Sequence, residues 1–229
     1  MQIGPFTILD LIALAGFVAA WGGYAFMVEW TRHGADGLNA RMVAYRETWM
    51  RRMLEREQRM VDMQIMAALQ NGTAFFATTS LFAIGGALSI LRSSDEMVAI
   101  ASHLPLGIQT SRGLWEAKAV GLTVVFVYAF FKFAWAYRLY NYVAIMLGAT
   151  PLPADKDTPE AQTHVIRTAQ LFTTAGRHFN RGQRALFFAL GYLGWFAGPI
   201  VFMATTAAVL VVMWRRQFAS DSLHAVKGS

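Results

Sequence analysis

Residues 63–91 read MQIMAALQNGTAFFATTSLFAIGGALSIL, a run of 29 residues without a charged side chain, bounded by Asp62 and Arg92. The hydrocarbon core of a bilayer is about 30 Å thick, so roughly 20 apolar residues in a helix can cross it. Backbone polar groups find no water in hydrocarbon, so only helices and closed barrels can span it, and this run lacks the alternation of a barrel strand. The stretch therefore predicts a membrane-spanning helix.

Three more long apolar runs lie on either side of the first, and only one of them contains a charge, Lys132. They cover residues 11–28, 119–137 and 185–214. We therefore predict one all-α domain over residues 1–229, an integral membrane helical bundle. Its four spans are expected at about 8–30, 63–91, 115–141 and 185–214.

The composition supports this class and excludes several others. The chain of 229 residues is 55% hydrophobic and 15% charged, against about 25% charged in an ordinary soluble domain. With no cysteine, it has no disulfide framework, thiolate metal site or cysteine nucleophile. The net charge of +6 fits basic loops beside membrane helices, so we expect no nucleic acid partner.

The sequence contains no recognisable catalytic motif. We find no phosphate-binding glycine loop, dinucleotide fingerprint or nucleophile elbow. All five histidines lie outside the apolar runs, which argues against a haem held between the helices, and none has a metal-site spacing. We expect no cofactor, no metal, no catalytic residue and no enzymatic activity.

The Lys and Arg residues are unevenly distributed among the connections. Residues 31–62 hold seven and residues 148–184 hold five, whereas residues 92–114 hold two and the tail after Trp214 holds three. The positive-inside rule then places the first and third connections in the cytoplasm of a multi-pass bacterial inner-membrane protein. Both termini are expected on the extracytoplasmic side, although Arg215 and Arg216 disagree.

The two basic connections are predicted to be long amphipathic helical extensions, over about 39–62 and 159–184. No proline separates Asn39 from Leu91, so one helix could run from the cytoplasm through the membrane. Each extension has apolar residues at helical spacing. We expect the two apolar faces to pack on each other.

Lys132 is the first candidate for a functional residue. A lysine near the middle of a span costs about 2.5 to 3.5 kcal/mol on insertion scales. Tyr128 at i−4 and Trp135 at i+3 could offer cation-π faces. Lys132 would then either favour an anion in a pore or extend its ammonium to the headgroups.

A polar seam follows the second span. Gln64, Asn71, Thr78 and Gly85 recur every seven residues and so share one stripe of the helix. The stripe either packs on neighbouring helices or lines a wet path. The predicted path for a solute or anion consists of Lys132, Gln64, Asn71, Thr78, Tyr128 and Trp135.

Two strips of arginine at i, i+4 and i+7 lie in the extensions. Either strip could bind anionic lipid headgroups or collect an anion, or could merely satisfy the positive-inside rule. The first strip is Arg177, Arg181 and Arg184, and the second is Arg52, Arg56 and Arg59.

Several stretches together resemble the bacterial and plant membrane proteins of the domain of unknown function 599 family. The resemblance covers most of the chain and is carried by RETWMRRMLEREQRMVD (46–62), Phe75-Phe76, LWEAK (114–118), FVYAFFKFAWAYRLYNY (126–142) and RHFNRGQRALFFALGYLGWF (177–196). It implies the membrane class and no particular ligand or site residue.

Two functions remain open. The first is an oligomeric channel or carrier for a small anion or polar solute. The alternative is a non-catalytic structural or accessory subunit that binds anionic phospholipid or a larger membrane complex. A channel requires a hydrated path beside the second or third span, whereas an accessory subunit should have a dry, tightly packed centre.

Overall fold

The computed structural model of the chain describes residues 2–103 and 111–227 and confirms the all-α class. A two-residue antiparallel hairpin, β1 (Gln2–Ile3) with β2 (Phe6–Thr7), precedes the helices. The helices are α1 (Ile8–Trp30), α2 (Arg32–Ala35), α3 (Leu38–Met53), α4 (Met60–Arg92), α5 (Ser94–His103), α6 (Arg112–Gly148), α7 (Pro159–Leu193), α8 (Pro199–Phe218) and α9 (Asp221–Lys227), with short 3-10 turns at Pro153–Asp155 and Gly194–Ala197.

Four segments among the described residues are long and apolar enough to cross a membrane, as predicted in number. They are Ile8–Trp30, Met60–Arg92, Arg112–Gly148 and Pro199–Val226.

Local sequence signals set the helix starts. Thr7 and Asp10 form a capping box at the start of α1, which satisfies backbone N–H groups that have no partner inside the helix. Ser111 caps α6 through its hydroxyl. Thr158 caps α7, whose first residue is Pro159, the position where proline costs no hydrogen bond.

The helices build two stacked layers. In the apolar layer, α1, α6, α7 and α8 enclose an aromatic core. In the extension layer, α3 and α7 pack with the first part of α4 and the last part of α6 around a second core. Helices α4, α6 and α7 contribute to both layers, so the extension layer continues directly from the apolar layer.

Charged side chains mark both ends of the apolar layer. Asp10 at the start of α1 is buried against Trp195, and Glu29 near the end of α1 pairs with Arg181. Asp10 and Glu29 are nineteen positions apart along the helix, which corresponds to about 28 Å of helix length. That length matches the roughly 30 Å hydrocarbon core of a bilayer.

The predicted fourth span, 185–214, is divided between two helices. From the level of Glu29, α7 runs to Leu193, and the following 3-10 turn places Trp195 beside Asp10 before the chain turns at Gly198. Gly198 has φ +126°, a conformation that side-chain-bearing residues avoid, and Pro199 then starts α8. The chain therefore reverses inside the run instead of passing straight through it.

Because of this reversal, the two described ends of the chain lie at opposite ends of the apolar layer. Helix α8 runs back along α7 and parallel to α1, and the Tyr24 hydroxyl of α1 donates to the Met213 carbonyl at 3.1 Å. The guanidinium of Arg216 lies 5.0 Å from the ring of Phe187, and α9 contacts α3. This arrangement differs from the expected location of both termini on one side of a membrane, which stays a prediction.

Helices α3 and α7 pack on each other, and two helices, α3 and α4, replace the single helix expected from Asn39 to Leu91. Trp49 of α3 packs edge-on against Phe172 of α7, with ring centroids 5.4 Å apart. Helix α3 starts after Gly37 and ends at Met53, and a turn leads into α4.

That turn is held by polar contacts to buried groups. Arg56 pairs with the buried carboxylate of Asp62 at 2.7 Å. Arg59 donates to the carbonyl of Thr150 at 2.7 Å and to that of Pro151. These arginines therefore stabilise the turn between α3 and α4.

Candidate functional site: an arginine-lined cavity

A cavity of about 550 Å³ opens where the apolar layer meets the extension layer. The end of α1, the short α2, the first half of α3 and the middle of α7 form its walls. Four arginines line this space, which we call the arginine cavity: Arg46 from α3, and Arg177, Arg181 and Arg184 from α7.

Glu29 is the carboxylate in the lining of the arginine cavity. It accepts from Arg181 at 3.0 Å and also from Arg184. Arg184 has only 7% of its side chain exposed, so its charge depends on this ion pair. With four guanidinium groups against one carboxylate, the lining has an excess of three positive charges.

Arg46 enters the cavity from the opposite wall. Its guanidinium lies 5.2 Å from the centroid of the Phe172 ring, and no carboxylate of the described residues lies within 4.0 Å of it. Burial lowers the pKa of Arg46, yet arginine remains charged in proteins. Gly176 makes room for it, because an added Cβ there would lie 2.7 Å from Nη2.

The remaining walls combine amides with apolar side chains. Asn39 and Asn180 line the cavity beside Val28 and Trp30. Trp30 is 76% exposed, as is common for tryptophan at a membrane–water boundary. Guanidinium groups recognise phosphate and carboxylate oxygens through paired N–H donors. The cavity is therefore chemically suited to an anion.

The structure brings the first predicted arginine strip together and separates the second. Arg177, Arg181 and Arg184 share the cavity as the helical spacing predicted. Arg52 is exposed on α3, but α3 ends at Met53, so Arg56 and Arg59 do not continue its face. The second strip is therefore not one basic surface.

Lys132 lies near the middle of α6 but close to the end of the apolar layer, because the last part of α6 belongs to the extension. It is near enough to Arg181 and Glu29 to interact electrostatically. Its ammonium is 5.0 Å from the ring centroid of Tyr128, the predicted cation-π partner. This position fits an ammonium that extends to the headgroup region.

A second cavity of about 550 Å³, here the lysine pocket, opens on the other side of α7. Lys132, Trp135 and Arg138 of α6 line it together with His178. Burial, with added repulsion from Lys132 and Arg181, lowers the pKa of His178. None of the predicted seam residues of α4 lines this pocket.

The seam faces outward. Gln64, Asn71, Thr78 and Gly85 are all exposed on α4. A second heptad, offset by two residues, faces α6 instead, and the sequence reasoning missed it although the spacing was equally regular. Its buried members are Met66, Thr73, Ser80 and Ala87.

The predicted path is therefore not assembled within one chain. The seam and Lys132 do not face a common interior in the described residues, and aromatic rings fill the centre of the apolar layer. Phe17 packs against Phe188, Tyr192 and Phe202 with centroid distances of 5.1 to 5.7 Å.

A buried polar cluster at the opposite end was also missed; we call it the aspartate clip. Asp10, Lys118 and Trp195 are each 2% exposed. The Trp195 indole donates to Asp10 at 2.7 Å, and the Lys118 ammonium donates to the Trp195 carbonyl at 2.8 Å. In the sequence both charged residues only bounded apolar runs, and nothing local indicated that they approach each other.

Together, these features define the class of the protein: an all-α membrane protein with a cationic cavity at one end of its apolar layer. The family described as "Protein of unknown function, DUF599" matches residues 12–222, and the chain belongs to that family. The comparisons with curated proteins and with solved structures find no match.

Proposed function

We propose that the protein is a non-catalytic membrane protein that binds the phosphate of an anionic phospholipid headgroup in the arginine cavity. The observation that carries this proposal is the excess of guanidinium over carboxylate in the cavity, at the level where headgroups lie. The filled aromatic centre of the apolar layer favours binding over conduction.

The distribution of charge supports an orientation. Of the 20 Lys and Arg residues, only Arg92, Arg112 and Lys118 belong to the end of the bundle that holds the aspartate clip. The other 17 lie at the level of Glu29 or beyond it. We propose that this basic end is cytoplasmic in a cell inner membrane, since positive loops remain inside.

In this arrangement, the chain crosses the membrane five times, because the last part of α7 and the following 3-10 turn cross before α8 returns. The N-terminus is then extracytoplasmic and the C-terminus cytoplasmic. Arg215 and Arg216, which disagreed with the four-span scheme, now follow the positive-inside rule.

Arg177 offers the cleanest test of the binding proposal. It is exposed and makes no ion pair with a described residue, so Arg177→Gln should leave the fold intact. Arg167→Gln is a matched control, because Arg167 is exposed on the same helix and does not line the cavity.

We expect native mass spectrometry with added phosphatidylglycerol to show about 3- to 10-fold weaker retention for Arg177→Gln, which corresponds to about 1 kcal/mol. The Arg167→Gln variant should retain lipid like the unsubstituted chain. Equal losses in both variants would mean that only overall charge matters. Displacement of the lipid by soluble pyrophosphate at low concentration would identify a soluble anion as the ligand.

A further inference from the structure

The outward face of α4 is not used by the proposed binding function, and two features of it are unexplained within one chain. The helix packs mainly against α6. In the most apolar stretch of α4, only 11% of the residues are buried. On the open side, the polar seam runs between large apolar residues.

The first feature is exposed apolar surface on the part of α4 that lies in the extension layer. Gln70 donates to Asn141 at 2.7 Å, and the Phe76 ring stacks on Phe133 at 5.4 Å, which fixes α4 against α6. Since Lys132 marks the end of the apolar layer, α4 before Phe76 lies in the extension layer. Met60, Val61, Ile65 and Phe75 are nevertheless 44% to 73% exposed there.

The second feature is a set of glycines and polar side chains in the same strip. A Cβ added at Gly72, Gly85 or Gly86 would meet nothing within 4 Å. These glycines lower helix stability without making room for any described neighbour. An open strip of this kind lets another helix approach closely.

The exposed residues repeat with the period of a coiled coil. Two adjacent lines of exposed residues run along α4. The first line consists of positions 64, 71, 78 and 85. The second begins four residues later and consists of positions 68, 75, 82 and 89. In parallel two-stranded coiled coils, two lines spaced in this way occupy the d and a positions, which form the contact between the helices. Asn71 lies on the line of d positions.

We propose that α4 pairs with α4 of a second copy of this chain, as a parallel two-stranded contact through both layers. Two copies inserted in the same orientation have equal depths, so a two-fold axis along the membrane normal sets each seam residue against its own counterpart. Gln64 and Asn71 both donate and accept hydrogen bonds, which makes each of them self-complementary. Exposed Phe75 and Phe82 lie on the adjacent line of the contact, where each covers the apolar surface of its counterpart.

The natural absence of cysteine permits a direct test by oxidative cross-linking of single-cysteine variants in membranes. Cysteines placed one at a time over positions 67–79 should form covalent dimers most efficiently at 68, 71, 75 and 78. Val124→Cys is the control, because Val124 is 63% exposed on α6 within the apolar layer and lies outside the proposed contact.

The unsubstituted chain provides a second measurement that needs no variant to fold. Native mass spectrometry from lipid nanodiscs should show a dimer. A monomer there, equal cross-linking at Val124→Cys, or cross-links from α4 to a different protein would each overturn the proposal.

Discussion

The aspartate clip and the arginine cavity lie at opposite ends of the same apolar layer, and they differ in charge balance and in burial. In the clip, one carboxylate, one ammonium, an indole and a carbonyl are fully buried and joined by short hydrogen bonds. In the cavity, one carboxylate faces four guanidinium groups around about 550 Å³ of space. A closed, balanced cluster stabilises the fold, whereas an open, unbalanced one leaves positive charge available, as the proposed anion ligand requires.

The largest effect is expected from Asp10→Asn, which removes the counter-charge near the buried Lys118. The hydrogen bond from Trp195 also weakens, so we expect a loss of about 3 kcal/mol in the free energy of unfolding. Unfolding titrations in mixed detergent micelles measure it. Asp95→Asn is the control, since the side chain of Asp95 is 73% exposed at the same end and should change stability by less than about 0.5 kcal/mol.

The double variant Asp10→Asn/Lys118→Met separates charge from packing. Replacing the buried ammonium with an apolar side chain of similar length should restore part of the lost stability. If the double variant is as unstable as the sum of its single changes, the two charges do not interact and the clip is only a set of hydrogen bonds.

A smaller loss, about 2 kcal/mol, is expected from Glu29→Gln, because Arg184 then keeps its charge without a carboxylate. The same change should strengthen anion binding, since the cavity gains one net positive charge. Thermal unfolding and lipid retention, measured on the same preparation, should therefore move in opposite directions. Weaker retention would contradict the role of the cavity as an anion site.

The smallest loss, about 1 to 2 kcal/mol, is expected from Gly198→Ala at the reversal between α7 and α8. Alanine at a φ of +126° is strained. Gly22→Ala is the matched control, because Gly22 lies within α1 with nothing within 4 Å of an added Cβ, and alanine is the better helix former. Equal effects of the two substitutions would mean that the reversal is not held by glycine.

Much of the fold could be predicted from the sequence. Long uncharged runs predicted the all-α class and the number of candidate spans, because a helix needs about 20 consecutive apolar residues to cross the hydrocarbon core. The reversal at Gly198 could not be seen in the same way. A glycine and a proline inside an apolar run also occur in continuous spans, and hydropathy does not distinguish one crossing from a hairpin.

The candidate site was predictable only in part. The spacing of Arg177, Arg181 and Arg184 placed them on one helical face, and α7 is helical there. Arg46 could not be assigned to the same cavity, because its place depends on the turn through α2 and on the antiparallel packing of α3 against α7. The spacing of the polar seam on α4 predicted a common helical face, but it did not predict whether that face is buried or exposed. Two heptads, offset by two residues, were equally regular.

The most direct test of the account is the sidedness of the two ends, which the cysteine-free chain makes simple to measure. Single cysteines at Gln2→Cys and Ser222→Cys are labelled with a membrane-impermeant maleimide, in intact cells of the expression host and in inverted membrane vesicles. We predict that position 2 reacts only in intact cells and position 222 only in inverted vesicles. Reaction of both positions in the same preparation would contradict the five-crossing arrangement.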